Sequence, residues 1–217
     1  LDKLWAATAR EWETVLDECR QILDRGRIEE FIGLVGNDVL TALRCIPTPL
    51  LPASFGFGPN DGRIAYSIIG PPTVRPGQGS PVSYASWGLD LSEMVFHEFA
   101  HTLIGQAILA TNVVEEMADW DGRMTYRSWF PTMYTTWSHR WQEIAVRAMT
   151  ILYHEHLTGR YDAPALIAKE QAEFGITLIA PIYRCFKAYY AARNEGMSQG
   201  FFEYITRLPN LLKADTA

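Results

Sequence analysis

Cysteine, basic charge and long apolar runs are all in short supply in this chain of 217 residues. Its three cysteines, Cys19, Cys45 and Cys185, are too few and too scattered for a disulfide framework, and no CxxC pair is present to hold a metal. They read as small buried apolar side chains. With 19 Lys+Arg against 25 Asp+Glu the formal charge is −6, a field that repels phosphate and makes nucleic acid a poor partner. The longest stretches without Asp, Glu, Lys or Arg run from Cys45 to Asn60, which holds four prolines, and from Phe99 to Val114. Both fall short of the ~18 residues of a membrane span. The chain opens with Leu1 and no charged segment leads into an apolar one, which reads as an exported protein after leader removal or equally as a domain cut from a longer chain. No internal repeat or low-complexity tract is visible.

What is present, 48% apolar and 20% charged residues, fits one compact domain over 1–217. Apolar residues of the first 25 positions recur at spacings of three and four, predicting an amphipathic helix that stops near Gly26. A short helix over Ile28 to Leu34 and a strand over Val39 to Ile46 follow, so the part up to about residue 36 is helical. From Ile46 to Gly88 the chain holds 8 of its 12 prolines and 7 of its 16 glycines, which excludes a long helix. The aromatic and aliphatic side chains of that segment give it too much apolar mass for a linker. Arg63 to Ile69 reads as a strand within it. Beyond Asp90 the pattern is helical, with breaks predicted near Pro131, Gly159 to Pro164 and Pro209. The fold class expected is α+β, mostly helical, with a small sheet preceding the first long helix.

Residues 97 to 101 read His-Glu-Phe-Ala-His. On a helix the two histidines at i and i+4 share a face one turn apart, where both imidazoles can bind one metal ion, and the glutamate between them can take a proton from water at the open position. Asp90 as an N-cap and Glu93 three residues later predict a capping box for that helix. From Val95 to Leu109 only Glu98 is formally charged, so the helix is expected to be buried. A lone carboxylate and two imidazoles inside it call for a compensating cation.

A catalytic zinc takes three protein ligands and leaves a position for water. The continuation of the metzincin motif needs Gly and His where this chain has Ile104 and Ala107, which excludes that class. The third ligand is then a later carboxylate or a histidine from elsewhere. Glu115 and Glu116 follow His101 closely for a chain that must turn and come back. Asp119 and Asp121 come next, and Glu143 lies 42 residues on, with room for an intervening helix. Periodicity does not favour Glu143: Trp141, Ala145, Ala148 and Leu152 form the apolar stripe of its helix, and a surface pair with Arg147 at i+4 is the competing account.

The succession of a strand at Arg63 to Ile69, a Gly/Pro-rich loop, an apolar helix with His-Glu-Phe-Ala-His and a helix reading Glu-x-x-x-Arg-Ala resembles an uncharacterised bacterial family of predicted zinc peptidases of the gluzincin type, within the zincins. The resemblance spans roughly residues 39 to 212. Its specific part is His97, Glu98, His101, Glu143, Arg147 and Ala148. It implies a zincin-like domain in which His97, His101 and Glu143 are ligands of Zn²⁺ and Glu98 is the catalytic base. It further implies that the strand Arg63 to Ile69 is the edge along which an extended peptide substrate pairs.

Oxyanion stabilisation needs a donor, for which Tyr126, Tyr134, His139 and Arg147 are candidates. Tyr134 and His139, just before the third-ligand helix, rank first. Arg147 is also suited to holding the Glu143 carboxylate. His154 and His156 receive no chemical role, because cationic residues near a helix end commonly meet its last carbonyls. The cluster Tyr189, Tyr190, Phe201, Phe202 and Tyr204 reads as core. The expected activity is peptide-bond hydrolysis on a peptide or protein substrate. Its alternative is a catalytically silent zincin-like module that binds metal and a protein partner.

Overall fold

The computed structural model describes residues 2–36, 38–72, 83–127, 129–158 and 162–215. Most of the Gly/Pro-rich loop, from 73 to 82, and the start of the break at Gly159 therefore lie outside the described residues. The architecture is α+β and mostly helical. Helices α1 (Asp2–Gly26) and α2 (Ile28–Val35) lead into a small sheet of β1 (Ala42–Pro47), β2 (Gly56–Phe57), β3 (Asn60–Asp61) and β4 (Ile64–Ile69). A 3₁₀ turn at Ala85–Trp87 opens the helical remainder: α3 (Leu89–Ala110), the one-turn α4 (Val113–Glu116) and α5 (Phe130–Met133), then α6 (Trp137–Thr158), α7 (Ala163–Phe174), α8 (Ile179–Asn194) and α9 (Phe201–Asp215). Among the described residues no helix is long and apolar enough to cross a membrane.

β4 lies in the middle of the sheet, with β1 parallel on one side and β2 and β3 antiparallel on the other. This corrects the expectation that Arg63 to Ile69 is an edge. The second strand that covers it is only two residues long and falls in a Pro/Gly-rich run, where no alternation signals a strand. Along β4, Ala65, Ser67 and Ile69 are buried while Ile64, Tyr66 and Ile68 keep partial exposure, the period of two expected of a sheet with one covered face. The covering element is α3.

α3 and α6 pack against each other at the centre, with α8 behind α6 and α1 against α3. Aromatic rings fill the junction: Phe96 of α3 stacks on Tyr153 of α6 at 4.2 Å between centroids, and Phe31 of α2 meets Phe96 edge-on at 5.2 Å. The Tyr153 hydroxyl donates to Gly26 O (2.7 Å), tying the end of α1 to α6. The entry to α3 is fixed by Glu18 of α1, whose carboxylate accepts the Tyr84 N–H at 2.8 Å. Cys19 and Cys185 are buried as expected, whereas Cys45 is partly exposed; all three are free thiols. Tyr189, Phe201 and Tyr204 are core residues and Tyr190 and Phe202 pack on them.

Two helix-end expectations fail. The residue that caps α3 is Gly88, and no side chain caps that end. Asp90 already sits inside the first turn, and Glu93 is drawn across to His154 of α6 (2.8 Å). Pro209 does not break the last helix: α9 runs through it. The ring leaves the Ile205 carbonyl without its helical donor, but Ile205, Leu208 and Leu212 are all buried, and that packing outweighs the local preference.

Candidate metal centre

α3 and α6 meet through an unusual strip. Where two central helices normally exchange apolar side chains, α3 presents Glu93, His97 and His101 and α6 presents Glu143, Thr150 and His154, running in opposite directions. Glu93 faces His154 at 2.8 Å, His97 faces Thr150 at 3.4 Å, and His101 faces Glu143 at 3.4 Å. Spacings of four on α3 and of seven and four on α6 put these groups on one side. The reading of α6 as amphipathic is therefore corrected: Trp141, Ile144, Ala145, Val146, Ala148 and Met149 are all fully buried, so the helix is enclosed on every side and its polar face looks inward at α3. Glu143, 1% exposed, is a buried residue and not a surface one.

His97, His101 and Glu143 bring one ligand atom each within 4.8 Å of one another, an arrangement that could hold a metal ion. The hydrogen bonds around it show why a cation fits. Thr150 Oγ1 donates to Val146 O (2.9 Å), so toward His97 Nδ1 at 3.4 Å the hydroxyl has only a lone pair left to offer. Nδ1 then carries the ring proton, and Nε2 turns its own lone pair toward the Glu143 carboxylate, 3.8 Å away. On the carboxylate, Oε1 accepts from Arg147 Nε at 2.6 Å, while Oε2 is buried without a hydrogen-bond partner. Its neighbour His101 Nε2, at 3.4 Å, is not aligned to donate to it. Two imidazole nitrogens and one orphaned carboxylate oxygen form a donor set that suits zinc and related divalent ions.

Electrostatics sharpen the picture. Burial pushes the His97 pKa down to about 4, with Glu143 opposing and His101 and Arg147 adding to the drop. Burial likewise lowers His101. Both rings are therefore neutral at pH 7 and able to act as ligands. For Glu143 burial by itself favours the acid form, but His97 and His101 in their protonated forms, the Arg147 charge and the nearby Tyr134 hydroxyl outweigh it and hold the carboxyl below its ordinary range.

Glu98 lies on the next face of α3, beneath β2. Burial and the Glu143 charge raise it to about 7, against a hydrogen bond from the Gly58 N–H. The strand and the chain just beyond it pass so close that a Cβ on Gly56 would stand 3.3 Å from Glu98 Oε1, and one on Gly58 would stand 2.6 Å from Glu98 O. Nothing in the sequence marked Gly56 or Gly58 out from the other five glycines of that segment. An open cleft of about 1060 Å³, lined by His97, Arg147, Trp87, Glu93, Lys169 and Glu173 among others, gives outside access to the cluster.

The other sequence candidates are sorted by this geometry. The Tyr134 hydroxyl is within hydrogen-bonding reach of Glu143 and Arg147, beside the cluster. His139 is exposed and is not among the gathered ligand groups. Glu115 and Glu116 are exposed on the short α4. Asp121 pairs with Arg140 at 2.5 Å, and the Tyr126 hydroxyl donates to that same carboxylate. His154 meets Glu93, and His156 meets the Tyr190 hydroxyl at 2.5 Å, so both engage side chains where helix carbonyls were expected. Thr150, which sets the His97 tautomer, and Glu170, which holds the far side of Arg147 (2.8 Å), were not read from sequence. Thr150 had a signal, standing two turns beyond Glu143; Glu170, on a different helix, had none.

Fold and cluster together define a mostly helical α+β chain with a two-histidine, one-carboxylate group, its carboxylate buried, that could hold a metal ion. No family model, no curated protein and no solved structure matches this chain.

Proposed function

We propose that the chain is a zinc-dependent peptidase of the HExxH, gluzincin type, with a zincin-like fold. The observation that carries the reading is the convergence of His97, His101 and the unpartnered Glu143 Oε2 next to Glu98, a carboxylate that a structural metal site would not need. His97, His101 and Glu143 would hold Zn²⁺. Zinc there supplies Lewis acidity, which acidifies water and polarises an amide carbonyl.

The chain's own residues account for the remaining proton movements. Glu98 takes the proton of the attacking water on its carboxylate and passes it to the leaving nitrogen, and an affinity for protons near neutrality suits a group that must do both. The Gly58 N–H beside that carboxylate favours its charged form. Tyr134, beside Glu143, is the group in this reading that donates to the oxygen of the tetrahedral intermediate; exposed His139 has no part in it. An extended peptide would enter through the cleft past His97.

Turnover of a diverse peptide library by zinc-loaded wild type and Glu98→Gln, with metal content measured on both, tests this. Wild type is expected to cleave, and Glu98→Gln to keep its zinc while losing roughly 100-fold or more in rate. Equal rates would sink the mechanism. A loaded wild type that cleaves nothing would favour the silent binding module.

A further inference from the structure

Both Glu143 oxygens approach the histidines, but only Oε2 carries no hydrogen-bond donor, and the reason lies outside the cluster. An arginine beside a carboxylate ordinarily closes a bidentate fork, which would put a donor on both oxygens and draw electron density from each. Arg147, one turn along α6, instead reaches Oε1 through Nε alone. Its guanidinium is held elsewhere on two sides. Nη1 donates to Glu170 Oε2 at 2.8 Å, and the central carbon lies over the Phe174 ring, 4.0 Å from the centroid. Glu170 and Phe174 stand one turn apart on α7, so a single helix supplies both a charged anchor and a flat seat. Rotating the guanidinium to close the fork on Glu143 would require leaving Glu170, the ring or both.

Resting on the zinc reading above, we infer that Glu170 and Phe174 are positioning residues for the metal centre: by clamping Arg147 they keep Glu143 Oε2 available as a ligand. Glu170 also adds a negative charge that balances Arg147, so the arginine orients Glu143 without making the region repel a cation. α7 thereby has a role in metal binding although none of its residues is among the ligands.

The test measures Zn²⁺ affinity by chelator competition and the Co²⁺ absorption spectrum, neither of which needs turnover. Glu170→Ala and Phe174→Leu are each made in the wild-type chain and in Arg147→Met, where no guanidinium remains to be clamped, and thermal unfolding in chelator reports the fold of each. In the wild-type background Glu170→Ala is expected to weaken zinc roughly 10–100-fold, the range found for outer-sphere partners of metal ligands, and to alter the Co²⁺ spectrum. Glu170→Gln, which keeps an acceptor for Nη1, should recover part of that loss. With Arg147→Met the same Glu170→Ala change should alter affinity by no more than about twofold, because the route through the arginine is gone. Phe174→Leu carries the test if Glu170→Ala does not fold. An undiminished loss in the Arg147→Met background, or no loss in the wild-type one, overturns the clamp. Zinc bound equally well by His97→Ala would instead overturn the assignment of the centre itself.

Discussion

Replacing Gly58 by alanine probes the contact that holds Glu98 in place. The added Cβ would stand 2.6 Å from Glu98 O and 2.9 Å from Tyr66 O, both main-chain atoms that cannot swing aside. The segment just beyond β2 must therefore retreat from α3. Overpacking of this kind costs about 1–3 kcal/mol. The retreat also takes the Gly58 N–H away from a carboxyl group that is only 9% exposed, and leaving a buried polar group without that partner adds about 1–3 kcal/mol. Taking a total near ~2–6 kcal/mol and ~2–4 °C per kcal/mol for a chain of this size, the melting temperature should fall by roughly 4–24 °C. Circular dichroism melts at pH 7 in excess chelator isolate this effect from metal binding. Gly33→Ala is the matched control, because its Cβ meets nothing within 4 Å inside α2, and it should stabilise by about 0.5–1 kcal/mol. A Gly58→Ala protein that melts with the wild type would show that the chain leaving β2 does not bear on Glu98 as described.

The metal-free protein should respond to pH in two opposed ways. His97, held at about 4, binds its proton later than in the unfolded chain, so stability is lost as pH falls from about 6.5 toward 4; Glu98, raised to about 7, binds its proton earlier, so stability is lost as pH rises from about 4.5 through 7. In chelator, the melting temperature of Glu98→Gln relative to wild type should therefore climb between those last two values, and a constant difference would contradict the Glu98 environment. Zinc at about 100 times its Kd should stabilise the fold by ~2.7 kcal/mol, about 5–10 °C, and the same gain in the His97→Ala, His101→Ala double variant would place the ion elsewhere.

Much of the centre was legible because its first half is local. The i, i+4 spacing of His97 and His101 needs only a helix, and the near absence of charge from Val95 to Leu109 signalled its burial. Glu143 was harder, since its neighbours Trp141, Ala145 and Ala148 suggested a one-sided helix. The stripe misled because α6 is enclosed by α3, α7 and α8, and an enclosed helix has no outside face for a polar residue to choose. The central place of β4 was hidden by the brevity of β2, and the roles of Gly58 and Glu170 by distance along the chain. Such groups act through a close approach of backbones or through another side chain, and neither leaves a periodic trace.

The inward polar strip between α3 and α6 has a consequence for how the chain tolerates change in length. Apolar side chains can slide past one another and repack, but the pairs Glu93 with His154, His97 with Thr150 and His101 with Glu143 engage like the wards of a key, in one setting only. One residue inserted in α6 between Glu143 and Thr150 would turn everything beyond it by about 100°. Glu93 would then lose His154, and His97 would lose the hydroxyl that sets its ring proton, while Glu143 stayed where it was. The helix could remain intact and the protein still lose the orientation of one of its two imidazoles.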